Sequence, residues 1–97
     1  MRKNRKRKKI IVRLGEHAEG RWLERAGRST KKVDALITML LIEHLGSGLT
    51  VHHGRALLPL DAKALGLPQD LVACIELPDV AGVWKVVTFK AVEDVAL

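Results

Sequence analysis

The chain has 97 residues, 47% of them hydrophobic, and a formal net charge of +6 at pH 7. That length suits one small domain with a single core, and that apolar fraction excludes a chain disordered throughout. With one cysteine, Cys74, there is no internal disulfide, and no Cys/His zinc spacing appears, so the simplest home is a reducing, cytoplasmic one.

The charge is concentrated at one end. Residues 2 to 9, RKNRKRKK, hold seven of the 17 Lys and Arg residues: Arg2, Lys3, Arg5, Lys6, Arg7, Lys8 and Lys9. The rest carries 10 basic against 11 acidic residues and is close to neutral. Such a block is read as solvated and attractive to polyanions such as nucleic acid. If all seven charges met duplex phosphates, binding would fall with salt at a slope of about −6. The chain divides accordingly into a basic disordered tail, 1–9, and a single α+β domain, 10–97.

The tail is not a signal peptide, because Ile10, Ile11 and Val12 run straight into Arg13, short of the roughly 7–15 apolar residues needed. Asp34 and Glu43 flank ALITMLLI, which is far shorter than the roughly 20 residues of a membrane span. No membrane segment is expected.

Ile10 to Leu14 reads as a short strand ended by Gly15. Glu16 to Ala26 reads as a helix, with acids at its start, Arg25 near its end and Gly27 as its stop, as the helix dipole favours. Ser29 or Thr30 can cap a second helix running to about Leu45, with Val33, Leu36, Ile37, Leu40, Leu41 and Ile42 as a wide apolar face. Lys31 and Lys32 sit at the helix end that disfavours them, where phosphate binding is one reason to keep them. After Gly48, LTVHHGRALL reads as a hairpin turning at His53-Gly54, with strands near 49–53 and 55–60. Pro59 places the second strand at an edge or at its own end. DAKALGLP is a turn or one helical turn, which Asp61 can cap and Gly66 and Pro68 can stop, and LVACIEL and GVWKVVTFKAV are two strands joined by PDVAG as an antiparallel hairpin. Helices followed by a meander of strands make the chain α+β.

His17, Arg21 and Arg25 are spaced by four, along one side of the first helix. One imidazole and two guanidiniums there form a compact anion site, suited to metal-independent RNA cleavage. That reaction needs a base for the ribose 2′-hydroxyl, donors for charge on phosphorus and an acid for the leaving oxygen. The competing reading is an exposed helix face, with Glu24 pairing Arg21 or Arg28. In VTFK, strict alternation puts Thr88 and Lys90 on one face together with Trp84 and Val86. Facing the first helix, Thr88 and Lys90 can assist at a phosphate. His52 and His53, as strand neighbours, point to opposite faces and do not share an ion; either can line a cleft with Arg55. His44 suits the end of the second helix, and no metal or cofactor is expected. Trp22, Trp84 and Phe89 are the only aromatic residues, too few for a base-stacking sheet. Cys74, in an apolar strand, reads as buried and inert.

The pattern HAEGRWLERAG-STKKVDALITMLL, followed by strands and closing on WKVVTFK, resembles the barnase–EndoU–colicin–RelE-like ribonuclease group. These are small toxin domains of toxin–antitoxin systems, phages and polymorphic toxins. The resemblance spans roughly residues 10 to 92. It implies two N-terminal helices packed on a four-stranded antiparallel sheet, metal-independent RNA cleavage and a bound antitoxin or immunity protein. On that reading His17 is the acid/base group, Arg21 and Arg25 stabilise the phosphate, and Thr88 and Lys90 assist across the cleft. The tail is not part of that family plan; from charge and position, the tail, Lys31, Lys32 and Arg55 are the candidate RNA-binding residues. The alternative is a non-enzymatic phage or mobile-element protein that binds nucleic acid through its tail or a protein through its sheet. A third reading is a homo-oligomer closed by an apolar face around Leu57 to Leu60.

Overall fold

The computed structural model describes residues 10–95. Strand β1 (Ile11–Leu14) leads into helices α1 (Glu16–Ala26) and α2 (Val33–Ser47). Strands β2 (Thr50–His52) and β3 (Arg55–Leu60), the short helix α3 (Ala62–Leu65), and strands β4 (Leu71–Glu76) and β5 (Val83–Ala91) follow. A single 3-10 turn, Val92–Asp94, comes after β5.

The fold class is α+β, with one correction to the sheet. It has five strands in the order β1-β5-β4-β3-β2, and β1 runs parallel to β5 while the other pairs are antiparallel. A hairpin forces its two strands antiparallel, but β1 reaches β5 by way of the rest of the chain and is free of that constraint. Beyond β1, the Gly15 N–H donates to Val86 O at 3.0 Å and extends the pairing.

Both helices pack on the same face of the sheet. Helix α1 ends at Gly27 in the left-handed region (φ 67°), whose N–H donates to Leu23 O. It buries Ala18, Trp22 and Ala26 at a spacing of four, so a single large ring between two small residues meets β5. The Trp22 ring stands 5.1 Å from Phe89, and its indole N–H donates to Ser29 O at 2.9 Å, which satisfies the buried polar edge. Helix α2 begins later than its capping residues suggest. The Ser29 hydroxyl accepts from the Lys31 N–H at 3.0 Å, closing a turn, and Lys32 takes a left-handed conformation (φ 65°) before Val33 starts the helix. Val33, Ile37 and Leu41 are its buried side.

The turns follow their chemistry. His53 (φ 53°) and Gly54 (φ 75°) are both left-handed, as a two-residue hairpin of the I′ kind requires. The Asp61 carboxylate caps α3 at the Ala64 N–H, and the Asp79 carboxylate takes the N–H groups of Ala81 and Val83 to close the β4–β5 hairpin. Pro59 lies on β3 opposite Val72, beyond the last β2 pair at Leu57, so its missing N–H faces a side that β2 does not reach. Leu58 and Leu60 are fully buried in the core. The stretch from Leu57 to Leu60 is therefore not the exposed apolar face that the sequence suggests, because alternation turns half of it inward.

Candidate nucleic-acid interface

Alternation along the strands sorts their side chains into a helix-covered face and an open one. Ala56, Leu58, Leu60, Leu71, Ala73, Ile75, Val12, Trp84, Val86, Phe89 and Ala91 point to the helices and are buried. The residues between them face the other way. In β5 the alternation breaks once: Cys74 pairs with Thr88 and Ile75 with Val86, leaving Val87 as an extra residue in a bulge. Trp84 and Val86 therefore lie on the helix side and Thr88 and Lys90 on the open side. Thr88 and Lys90 do share a face, as alternation within VTFK predicts, but the inserted residue moves Trp84 and Val86 off it.

The register then lines up one row across the whole sheet. His52 pairs with Arg55, Arg55 with Glu76, Glu76 with Lys85, and Lys85 with Arg13. All five are exposed. Neighbouring strands lie about 4.8 Å apart, so the row is about 19 Å long. It carries Arg13, Lys85 and Arg55 with His52 against the single acid Glu76. Among the described residues the one ion pair within 4.0 Å is Arg21–Glu24, so this row is not internally neutralised by close pairing. A hollow at one end is lined by Arg13, Glu76, Asp79 and Lys85.

Behind the row stand Leu57, Cys74 and Thr88, and then Pro59, Val72 and Lys90. Cys74 (5% exposed) reports the local field. Burial pushes its thiol pKa up, while the positive charges of Lys90 and Arg55 pull it down. Lys90 and Arg55 thus lie on the same face of the sheet as the Cys74 side chain.

Helix α1 carries the other candidates, on the far side of the sheet. Arg21 Nε donates to His17 Nε2 at 3.3 Å, and an Arg21 terminal nitrogen meets Glu24 Oε1 at 2.7 Å. Arg21 is thus shared between an imidazole and a carboxylate of its own helix. Arg25 is half-buried with its Nε lacking a hydrogen-bond partner, and its carbonyl accepts from Gln69. Arg28 donates to Leu65 O and Gly66 O, tying the end of α1 to the loop after α3. The sheet separates His17, Arg21 and Arg25 from Thr88 and Lys90, so the two groups do not form one cleft. Thr88 is also buried (8% exposed) rather than offered to solvent.

Lys31 and Lys32 are exposed on the helix side, and Arg2, Lys3, Arg5, Lys6, Arg7, Lys8 and Lys9 lie outside the described residues. His53 leaves the strand for the turn, which brings its ring to 4.1 Å from His52, edge-on, instead of to the opposite face. His44 Nδ1 lies 2.9 Å from Leu40 O. Among the described residues no three His, Cys, Asp or Glu side chains gather as a metal site. Trp22, Trp84 and Phe89 are all buried on the helix side.

Arg13, Glu76 and Lys85 escape the sequence reading because each looks like an isolated surface charge. Only the pairing of β1 with β5 and the bulge bring them into line. The usable signal is the spacing of Glu76 and Lys85 about the PDVAG turn, which makes them cross-strand partners once the hairpin register is known. No helix in the described residues is long and apolar enough to cross a membrane. No protein-family model matches the chain, and no curated protein or solved structure matches it.

Proposed function

We propose that this protein binds RNA through the open face of its sheet, gripping the phosphate backbone with Arg13, Arg55, Lys85 and Lys90. The observation that carries this reading is the cross-strand row in which Arg55, Lys85 and Arg13 face solvent around a single acid. Guanidinium and ammonium groups on a rigid sheet match phosphate oxygens without needing a stacking platform, and the buried aromatic rings leave none on this face. Recognition is accordingly of the backbone and tolerant of base sequence. The basic tail adds electrostatic attraction to the same ligand.

Single-stranded RNA binding, followed by fluorescence anisotropy across a salt series, tests the assignment. Each phosphate contact contributes about 0.7 to the slope of log affinity against log salt for a single strand. The variant R13A/R55A/K85A should therefore lose about 2 from that slope, while R21A/R25A on α1 should leave it unchanged. A loss confined to R21A/R25A would move the interface to α1.

The ribonuclease reading also finds a better place here than on α1, with a specific observation in its favour. Glu76 stands between Arg55 and Lys85 on adjacent strands, with His52 next in the row. A carboxylate can take the 2′-hydroxyl proton, the flanking cations can hold the phosphorane charge, and an imidazole can protonate the leaving oxygen. Cleavage that persists in EDTA, vanishes in Glu76→Gln and survives in His17→Ala would support this second reading. Cleavage lost only in His17→Ala would return the activity to α1.

A further inference from the structure

Strand β1 is an edge strand, paired with β5 on one side only. The phase of that pairing says which of its backbone groups are left over. The Gly15 N–H donates to Val86 O, so Gly15 turns its backbone toward β5. Alternation gives Arg13 the same direction and Val12 and Leu14 the opposite one. The N–H and C=O groups of Val12 and Leu14 therefore point off the free edge, and no backbone group among the described residues pairs with them. Val12 is only 7% exposed. Two donors and two acceptors, spaced as in a ladder and set in a partly covered edge, are a template for one more strand.

The surroundings of this edge have a sign. A hollow of about 480 Å³ lies along it, lined by all four residues of β1 and by Glu19, Thr30 and Asp34. Glu19 comes from α1 and Asp34 from the first turn of α2, so both acids stand on the helix-covered side of the sheet. Among the described residues neither carboxylate has a cation within 4.0 Å, since the one ion pair is Arg21–Glu24. On the open side of the same edge the charge is that of Arg13, which is exposed.

We infer that β1 takes up an extended basic segment of another protein as a sixth strand, antiparallel to it. In such a pairing the residues opposite Val12 and Leu14 each exchange two hydrogen bonds with them, four in all. Directly opposite residues share a face, and Val12 points to the core. Those two positions therefore face Glu19 and Asp34 and call for Lys or Arg, while the residue between them lies beside Arg13 and calls for Glu or Asp. A second copy of β1 fits the edge poorly, because pairing Val12 with Leu14 of the other copy sets Arg13 directly opposite Arg13. Folding the chain's own basic segment back onto β1 would need a tight reversal within RKKI, residues 7–10, which lacks the Gly, Asn or Asp of such turns. This inference does not rest on the RNA-binding reading.

Fluorescence anisotropy of the full chain with a labelled peptide, Lys-Glu-Lys between flanking threonines, tests it. Methylating both lysine amides removes the two peptide donors aimed at β1, and each lost bond should weaken binding by up to about tenfold. Methylating the glutamate amide, which points away from β1, should leave the affinity unchanged. The variant E19K/D34K should bind the peptide about tenfold more weakly and prefer one carrying Glu-Lys-Glu. Both substituted residues are exposed, so its circular dichroism should match the wild type, and E19Q/D34N should show a smaller loss in the same direction. A peptide that does not bind, equal losses from the two methylations, or an affinity untouched by E19K/D34K would each overturn the proposal. A wild-type dimer in sedimentation velocity that Arg13→Glu strengthens would give the edge to a second copy instead.

Discussion

The two faces of this sheet are built from the same strands, residue by alternate residue, yet they obey different chemistry. On the covered face Trp84, Val86 and Phe89 of β5 join the core that α1 closes around the Trp22–Phe89 pair. On the open face Lys85, Thr88 and Lys90 of the same strand join Arg55, Glu76 and Arg13. A single extra residue, Val87, keeps the two sets apart. Paired in strict alternation with no bulge, WKVVTFKA would carry Trp84 and Val86 on the same side as Thr88 and Lys90, and neither face would be coherent. The bulge converts a strand with mixed alternation into one with a dry side and a charged side.

The largest effect expected from this contrast is in stability. Phe89→Ala empties space beside Trp22 in the centre of the core and should cost about 3–5 kcal/mol by denaturant unfolding. Its immediate neighbour Lys90→Ala, on the open face, should stay within about 0.5 kcal/mol of wild type. Equal costs for the two would show that the open face is packed against something and is not a binding surface.

A sharper test removes the bulge itself. Deleting Val87 leaves Trp84, Val86, Phe89 and Ala91 at alternating positions with Lys85, Thr88 and Lys90 between them, so every side chain keeps its face. The deletion should fold and cost about 1–2 kcal/mol, in the range of ordinary substitutions. Deleting Ala73 from β4, which pairs without an extra residue at that point, inverts one half of the strand and should prevent folding. If the Val87 deletion also failed to fold while the chain stayed soluble, the two-against-one pairing would not be the reason for the sorting.

These tests bear on what the sequence makes legible. Helix α1 is readable to its ends because Gly15, the early acids and Gly27 are local signals acting within one turn. The β2–β3 turn is readable because His53-Gly54 tolerates the left-handed region. The parallel pairing of β1 and the bulge are not, since both depend on contacts between residues far apart in sequence, and nothing local marks Val87 as the extra residue. The candidate site suffers most from this. The spacing of His17, Arg21 and Arg25 is visible at once, and the structure shows why that spacing arises beside a buried Ala18–Trp22–Ala26 stripe: any residue set one position ahead of a core stripe inherits its period. The row from His52 to Arg13 draws one residue from each of five strands and has no footprint in any single segment.

The smallest effect concerns Cys74, and it reads the open face most directly. Burial raises its thiol pKa, with Lys90 and Arg55 opposing. Between the ordinary thiol pKa and the raised folded one, the unfolded chain has released a proton that the folded chain still holds, so stability is full below the ordinary value and falls as pH climbs through that window. Cys74→Ala should remove this part of the alkaline decline, seen as the difference between the two stability profiles above about pH 9. Removing one opposing charge with Lys90→Ala should move the thiol titration, followed by thiolate absorbance, further up. Arg21→Ala, a charge of the same sign on the other side of the sheet, should leave it in place. A thiol that responds equally to Lys90→Ala and Arg21→Ala would mean that the sheet does not divide the molecule into two electrostatic halves, and the case for an RNA-binding face distinct from α1 would go with it.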